Sequence, residues 1–472
     1  MKEYPSFYHF NCIPTVEEDT ASSSTLVDST STLSESGSDV LEQQPLLLKN
    51  TLSEQASLSS IAKDPHELKY DYGAISKETL IDKSSSLGAA MNLVNAMMGT
   101  GIIGLPLALH LCGFWLGVAF SVLIACLSCL TMHITIVCGM KTQTTSLVSL
   151  VERLVGPFGS SIMNFIVFFH TAGTAISYYL LLGDTLPSLI AWVLPNYPAL
   201  ANRTIVILLF GLCFTLPLSL SRSTAKFAKW SALSVVLLFL MLIGVLVRSP
   251  NYYEKIPIEN KLTLSEPMFQ GLAIMSLAFG CAQNLFSIHD SIRDKSPSNW
   301  LFTCSLAIGI AFVINMVFAI ILYLCFGKGV QANVFLNFPI NDVGIQLAKM
   351  TLGLFMVLSI PLCVYPCRES VMMMIYGTHY DYSQSTDKQH FIVTIVVFSI
   401  ILYFGATLVS LGKIFSLIGG FSTTILGFFL PGLAFMYLFD YKGNRFLFLT
   451  SFVGIVLALP VIYFSIKLFF YE

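Results

Sequence analysis

Residues 87–113 read LGAAMNLVNAMMGTGIIGLPLALHLCG. The stretch is long enough to span a membrane, since about 20 apolar residues cross the hydrocarbon core. Its centre contains Gly99-Thr100-Gly101, which weakens a helix, and Pro106 cannot donate a hydrogen bond to the carbonyl of Ile102. Backbone N–H and C=O groups without hydrogen-bond partners are costly in lipid, unless protein, water or a ligand supplies those partners. The stretch therefore predicts a broken membrane helix with a binding site at the break.

The composition of the whole chain agrees with a membrane location. Of 472 residues, 55% are hydrophobic and 11% are charged, whereas soluble domains carry roughly 25% charged residues. The formal net charge of −2 argues against nucleic acid as a partner. The chain is therefore predicted to be an all-α polytopic protein whose surroundings are the lipid bilayer.

Eleven apolar segments predict about eleven spans in a transmembrane domain over residues 85–472. They are 87–110, 114–138, 160–183, 203–220, 230–248, 267–288, 300–326, 345–375, 391–410, 414–437 and 446–469. The Lys and Arg residues between the spans favour a cytosolic N-terminus. A glycosylation sequon begins at Asn202, but it abuts a predicted span, so its use is not predicted.

Residues 1–84 have a different composition, rich in Ser, Thr and acids. Such a segment cannot bury enough apolar surface to fold, so we expect a disordered cytosolic tail. Within it, Glu42 stands four residues before Leu46-Leu47. This is the acidic dileucine pattern that sorting adaptors bind. It favours a vacuolar or lysosomal membrane over the alternative, the plasma membrane.

A second interrupted span resembles the first in its layout. Residues 268–290 read MFQGLAIMSLAFGCAQNLFSIHD, with Gly280 at the centre and Gln283 and Asn284 after it. Two Gly-interrupted helices, each opening five spans, indicate a transporter built from inverted repeats. The repeats would cover about 87–248 and 267–437, with an extra helix at about 446–469.

The two breaks together suit a zwitterionic ligand. Free N–H groups from Gly99 to Gly101, at the positive end of the following half-helix, can bind a carboxylate. Carbonyls that end the preceding half-helix, with Asn95 and Thr100, can bind a cation. The second break, Phe279 to Asn284, would supply the opposite wall and a side-chain pocket. These features predict an amino acid as substrate.

Titratable side chains inside the spans are few. His170 is identified as the deep titratable group, and it shares a helix face with Thr174 and Tyr178. It is a candidate for proton-linked steps. Asp184 and Glu369 are expected at helix ends. Because a membrane hydrolase would need paired acids or His/Glu metal ligands, the chain is not expected to be an enzyme.

Several segments after the tail resemble the amino acid/auxin permease family, whose branches include sodium-coupled neutral amino acid transporters and fungal vacuolar amino acid transporters. The segments are NLVNAMMGTGIIGLPLAL (92–109), ISY (176–178), GDTL (183–186), LPLSLSRSTAKFAKWSALS (216–234), MSLAFGCAQN (275–284), SIPLCVYPCRES (359–370) and FSLIGGFSTTILGFFLPGLAF (415–435).

The resemblance implies an eleven-helix fold of the LeuT type, a five-plus-five inverted repeat with its site between helices one, six and eight. By position it implies that Gly99, Thr100 and Gly101 bind the substrate carboxylate. It also implies that Asn95 and Ser359 are Na⁺ ligands. The sequence departs from the family on helix six, where relatives often have His after the Cys and this chain has Ala282-Gln283 after Cys281.

The sequence thus predicts a secondary active transporter of neutral amino acids, coupled to Na⁺ or H⁺ and working by alternating access. No cofactor is expected apart from a Na⁺ ion. The alternative is an amino acid sensor with little net flux that signals through its N-terminal tail. Oxygen ligands favour Na⁺, whereas an acidic organelle favours H⁺, so the sequence leaves the coupling ion open.

Overall fold

A computed structural model describes residues 84–222, 224–253, 265–377, 380 and 385–471. Within these ranges nine helices are long and apolar enough to cross a membrane, and a tenth span is a helix pair bent by 66°. One shorter apolar helix, Arg203–Ser219, falls where the fourth span is predicted. Glu42, Leu46 and Leu47 of the predicted sorting motif lie outside the described residues.

The helices are labelled here in chain order. They are α1 Ser86–Met97, α2 Gly101–Cys112, α3 Phe114–Thr142, α4 Leu147–Val155, α5 Pro157–Val193, α6 Arg203–Ser219, α7 Thr224–Arg248, α8 Glu266–Ala278, α9 Leu285–Ser291, α10 Pro297–Phe326, α11 Val343–Tyr376, α12 Asp387–Thr407, α13 Leu411–Leu438 and α14 Arg445–Tyr471. The predicted all-α membrane class is confirmed. The predicted breaks in the first and sixth spans are also confirmed, between α1 and α2 and between α8 and α9.

The helices pack in two groups. In one, α11 packs on both α5 and α7, and α12 packs on α5. In the other, α2 packs on α8, while α1, α2 and α3 pack on α10. Helix α13 contacts both groups through Ile418–Thr423, which forms a wider π-helical turn. Because lipid gives little hydrophobic drive between helices, small residues and close van der Waals contact hold such bundles together.

Two predicted helix ends are wrong. Asp184 lies inside α5, which continues to Val193, and Arg203 of α6 pairs with its carboxylate at 3.3 Å. Glu369 lies inside α11, which continues to Tyr376. A charged residue indicates the end of a span only when no group inside the protein pairs with its charge.

Candidate functional site

The first break separates α1 from α2. The chain is extended at Met98 (φ −80°, ψ 93°), and Thr100 precedes the first residue of α2. No side chain in the described part of the protein caps this N-terminus. The N–H of Ile103 donates to the carbonyl of Thr100 at 3.2 Å. The N–H groups of Gly101 and Ile102 before it keep the capacity to bind an anion, strengthened by the helix dipole.

The second break follows α8. The N–H of Phe279 still donates to the carbonyl of Met275, and the chain then leaves the helix at Gly280 and Cys281. Asn315 of α10 donates through Nδ2 to the carbonyl oxygen of Ala278 at 3.3 Å. A side chain of a neighbouring helix thus donates a hydrogen bond to a carbonyl at the break, as unpaired backbone inside a membrane requires.

The two broken segments touch at Gly101. A Cβ placed on Gly101 would lie 2.6 Å from the Cα of Ala278 and 2.8 Å from its backbone nitrogen. Real Cβ atoms do not approach backbone so closely, so only glycine permits this crossing. The contact brings the predicted carboxylate-binding segment beside the start of the second break.

The opposite wall comes from α5 and α11. The Tyr178 hydroxyl lies 3.2 Å from the position that a Cβ on Gly99 would occupy, and it interacts with the side chain of Ser359. The Tyr178 ring also packs edge-on against Phe355, with 5.7 Å between centroids. Tyr178 therefore joins the first break to Ser359. The sequence predicts that Tyr178 lies on a polar face of its helix, but it does not assign Tyr178 to the site.

The other predicted ligands have less connected positions. Asn95 is half-buried in the last turn of α1, and no hydrogen bond among the described residues joins it to Ser359. Phe279 is fully buried and stacks on Phe312, with centroids 6.0 Å apart. Asn284 is half-buried and Gln283 is exposed. The structure thus brings Phe279 into the core beside the break, but not Gln283.

His170 lies at the second break. Its Nδ1 is 3.1 Å from the hydroxyl of Ser422 and 3.4 Å from that of Thr423. The methyl group of Thr423 in turn lies against the position that a Cβ on Gly280 would occupy. Thr423 therefore connects the deep histidine to the second break, a link between distant parts of the chain that the sequence analysis missed.

A small void lies beside Gly280. Its volume is about 10 Å³, which is room for roughly one water molecule. An amino acid would enter this part of the break only if α8 and α13 moved apart. The lining residues are Ser128, Thr131, Met132, Thr135, Ser276, Phe279, Gly280, Cys281, Ala282, Leu285, Thr423, Gly427 and Phe428.

The assignment of His170 as the deep titratable group is incomplete, because α11 contains two buried cations. Arg368 is 1% exposed and donates to the Ser219 carbonyl and the Thr394 hydroxyl, both at 3.1 Å. Lys349 is 2% exposed and donates to the Ser188 hydroxyl at 3.0 Å. The presence of Lys349 and Arg368 inside an apolar segment is the sequence feature from which they could have been predicted as buried cations.

Comparison with known proteins adds an independent observation. Residues 82–471 match the family model described as "Transmembrane amino acid transporter protein". The chain is 29% identical over 366 residues to "Putative sodium-coupled neutral amino acid transporter 11" of Danio rerio, covering 77% of this chain and 81% of that protein. It is 25% identical over 368 residues to "Vacuolar amino acid transporter 2" of Saccharomyces cerevisiae, covering 74% and 76%.

A solved structure, "Crystal structure of MhsT in complex with L-phenylalanine", aligns over 81% of this chain and 99% of that chain. The TM-score is 0.45 and the sequence identity is 16%. The family match includes every residue that the structure describes, among them both breaks, Tyr178 and Ser359. The chain belongs to the transmembrane amino acid transporter family.

Proposed function

We propose that this protein is a secondary active transporter of neutral amino acids, coupled to Na⁺ or H⁺, which works by alternating access. The contact between the two broken helices at Gly101 and Ala278 carries this proposal. It sets the uncapped start of α2 beside the end of α8, so partial charges of opposite sign lie close together. Such a pair suits the carboxylate and ammonium of one amino acid.

The substrate class follows from the surroundings of this contact. Ala278 and Phe279 are fully buried and apolar, and Tyr178 and Ser359 add neutral hydroxyls. A charged substrate side chain would find no opposite charge on these residues and would lose its hydration, which is costly. The Danio rerio relative is named for neutral amino acids, in agreement with this choice.

Two observations support a proposed location. The yeast relative is named for the vacuole, and the tail contains the dileucine pattern of Glu42, Leu46 and Leu47. We therefore assign the protein to a vacuolar or lysosomal membrane, with sorting adaptors as partners of the tail and the N-terminus in the cytosol.

Uptake by purified protein in proteoliposomes tests the transport proposal. Labelled neutral amino acids are offered with a Na⁺ gradient alone, a pH gradient alone, or neither. We expect accumulation above equilibrium with one of the two gradients. Exchange across the membrane without response to either gradient would contradict coupling, and absence of both exchange and uptake for every amino acid would contradict transport itself.

A further inference from the structure

The strongest unexplained feature is Lys349, on the seventh residue of α11. It lies ten residues before Ser359, so about 15 Å along the helix separates it from the candidate site. Its side chain is 2% exposed. Ionisable groups buried in a membrane domain are expensive and in most cases serve function, so Lys349 needs a physical explanation.

The ammonium of Lys349 is poorly satisfied in this conformation. It has three N–H donors, and the Ser188 hydroxyl is its one hydrogen-bond acceptor among the residues that the structure describes. Ser188 donates its own proton to the carbonyl of Thr185 at 2.8 Å. A charged ammonium taken from water normally needs a counter-charge or several acceptors, so this environment suits a neutral amine better.

Among the residues that the structure describes, no carboxylate compensates this charge, because those on the neighbouring helices are already engaged. Asp184 lies one turn from Ser188 on α5 and pairs with Arg203 of α6 at 3.3 Å. Asp342, which caps the N-terminus of α11, pairs with Arg248 of α7 at 2.8 Å.

The other described elements packed around α11 offer no anion near Lys349. Residues 330–338 contain no titratable side chain. The charged residues of α12, Asp387 and Lys388, lie at its start, which follows the far end of α11 along the chain.

One further acceptor is available close by. Gln346, three residues earlier on the same face of α11, is fully buried. Its Nε2 donates to the carbonyl of Ile340 at 2.7 Å, whereas its Oε1 has no hydrogen-bond partner within the described residues. A small rearrangement would let Oε1 accept from a protonated Lys349. The site therefore has unused capacity for one more N–H donor.

The connection between α10 and α11 lies beside this site, since its Ile340 carbonyl accepts the hydrogen bond from Gln346. We use the term lid segment for residues 327–342, which join α10 to α11. Asn333 of the lid segment is 1% exposed and donates to the Thr185 hydroxyl at 3.1 Å, one turn from Ser188. Val334 and Phe335 beside it are fully buried. The lid segment also contacts α2, so it connects the broken-helix group to α5.

From this arrangement we infer that Lys349 is a proton-binding residue of the transport cycle, neutral under the closed lid segment and protonated when that segment lifts and water enters. This inference rests on the proposed transport function and extends it, because it makes the access step sensitive to pH on the lid side. A proton added there stabilises the open state. In linked equilibria of this kind, one event typically changes the equilibrium constant of the other by about 5- to 150-fold.

Cysteine accessibility tests the inference without relying on transport. Val334 is buried, so the cysteine of Val334→Cys should react with a membrane-impermeant thiol reagent only when the lid segment lifts. Leu336→Cys, in the same segment, is 44% exposed in the native residue and corrects for the effect of pH on the reagent. We expect the ratio of labelling at the two positions to rise at least about fivefold between about pH 9 and pH 5.

Substitutions at Lys349 then decide the cause. Lys349→Met should keep the labelling ratio low at every pH, and Lys349→Arg, which stays protonated, should keep it high. Lys328→Met, an exposed lysine of the same segment, should leave the wild-type profile unchanged. A pH profile that persists in Lys349→Met, or a flat profile in the parent protein, would overturn the inference.

Two further arms separate misfolding and failure of transport from failure of the inference. If Lys349→Met does not fold, Ser188→Ala keeps the amine and removes its acceptor, and it should move the midpoint of the profile; an unmoved midpoint contradicts the assignment. Exchange of a neutral amino acid is measured in the same proteoliposomes. Absence of exchange with a Lys349-dependent labelling profile would reject the proposed transport function and retain the proton site.

Discussion

The contact at Gly101 yields the sharpest structural prediction. In Gly101→Ala the new methyl would lie 2.6 Å from the Cα of Ala278 and 3.1 Å from its Cβ. Backbone cannot rotate away as a flexible side chain does, so α2 and α8 must separate by roughly 1 Å to reach ordinary contact near 3.5–4.0 Å. Overpacking of this kind costs about 1–3 kcal/mol. Because the same contact sets the spacing of the two breaks, uptake should fall at least about tenfold, which corresponds to 1.4 kcal/mol.

The assay compares initial uptake rates and melting temperatures of Gly101→Ala with those of Gly309→Ala. Gly309 is in α10, where an added Cβ meets nothing within 4 Å. The control should keep wild-type uptake and stability, since alanine favours helix over glycine. Wild-type uptake in Gly101→Ala would refute the argument that this crossing builds the site, and loss of uptake in both variants would show that glycine itself, not the contact, matters.

Three other predictions follow from named contacts. Ser359→Ala should weaken the dependence of uptake on the coupling cation without lowering the melting temperature; an unchanged cation dependence counts against a role of Ser359 in the cation site. Desolvation acts against the charge of Asp342, but hydrogen bonds from Arg248 and Tyr252 prevail and lower its pKa to about 2. Asp342→Asn should therefore cost about 1–3 kcal/mol of stability at neutral pH; this difference should disappear as the pH falls from about 4 towards 2, where wild type also loses the charge. Replacement of Leu46 and Leu47 by Ala should move the protein to the cell surface, as seen by microscopy, and unchanged localisation would reject the motif.

The broken helices could be predicted because their signals are local. Gly99, Gly101 and Gly280 interrupt apolar runs of membrane length, and the physical cost of free backbone in lipid gives those interruptions a meaning. The spans themselves follow from length and hydropathy. Errors occur where a charge is neutralised by another helix, as at Asp184, because sequence does not reveal a partner such as Arg203.

Contacts between the helices could not be predicted in the same way. Gln283 is next to the second break in sequence, yet it is exposed, whereas Phe279 is fully buried. Non-helical backbone sends successive side chains in different directions, so sequence proximity to a break does not establish that a residue lines it. The link from His170 through Thr423 to Gly280 joins α5 and α13 to the non-helical break after α8, and it depends on the packing of α13.

The two buried cations of α11 show what sequence omits about function. A lysine seven residues into a span could extend its side chain to the interface, as long cationic side chains often do, but the structure binds it to Ser188 inside the protein. Arg368 donates to a carbonyl of α6 and a hydroxyl of α12, and an arginine keeps its charge under all ordinary conditions. Arg368 therefore joins α11 to α6 and α12 with a charge that does not change. Lys349 can lose its proton, and the described residues give it one acceptor, so it is the cation of this helix whose charge can follow the opening of the lid segment.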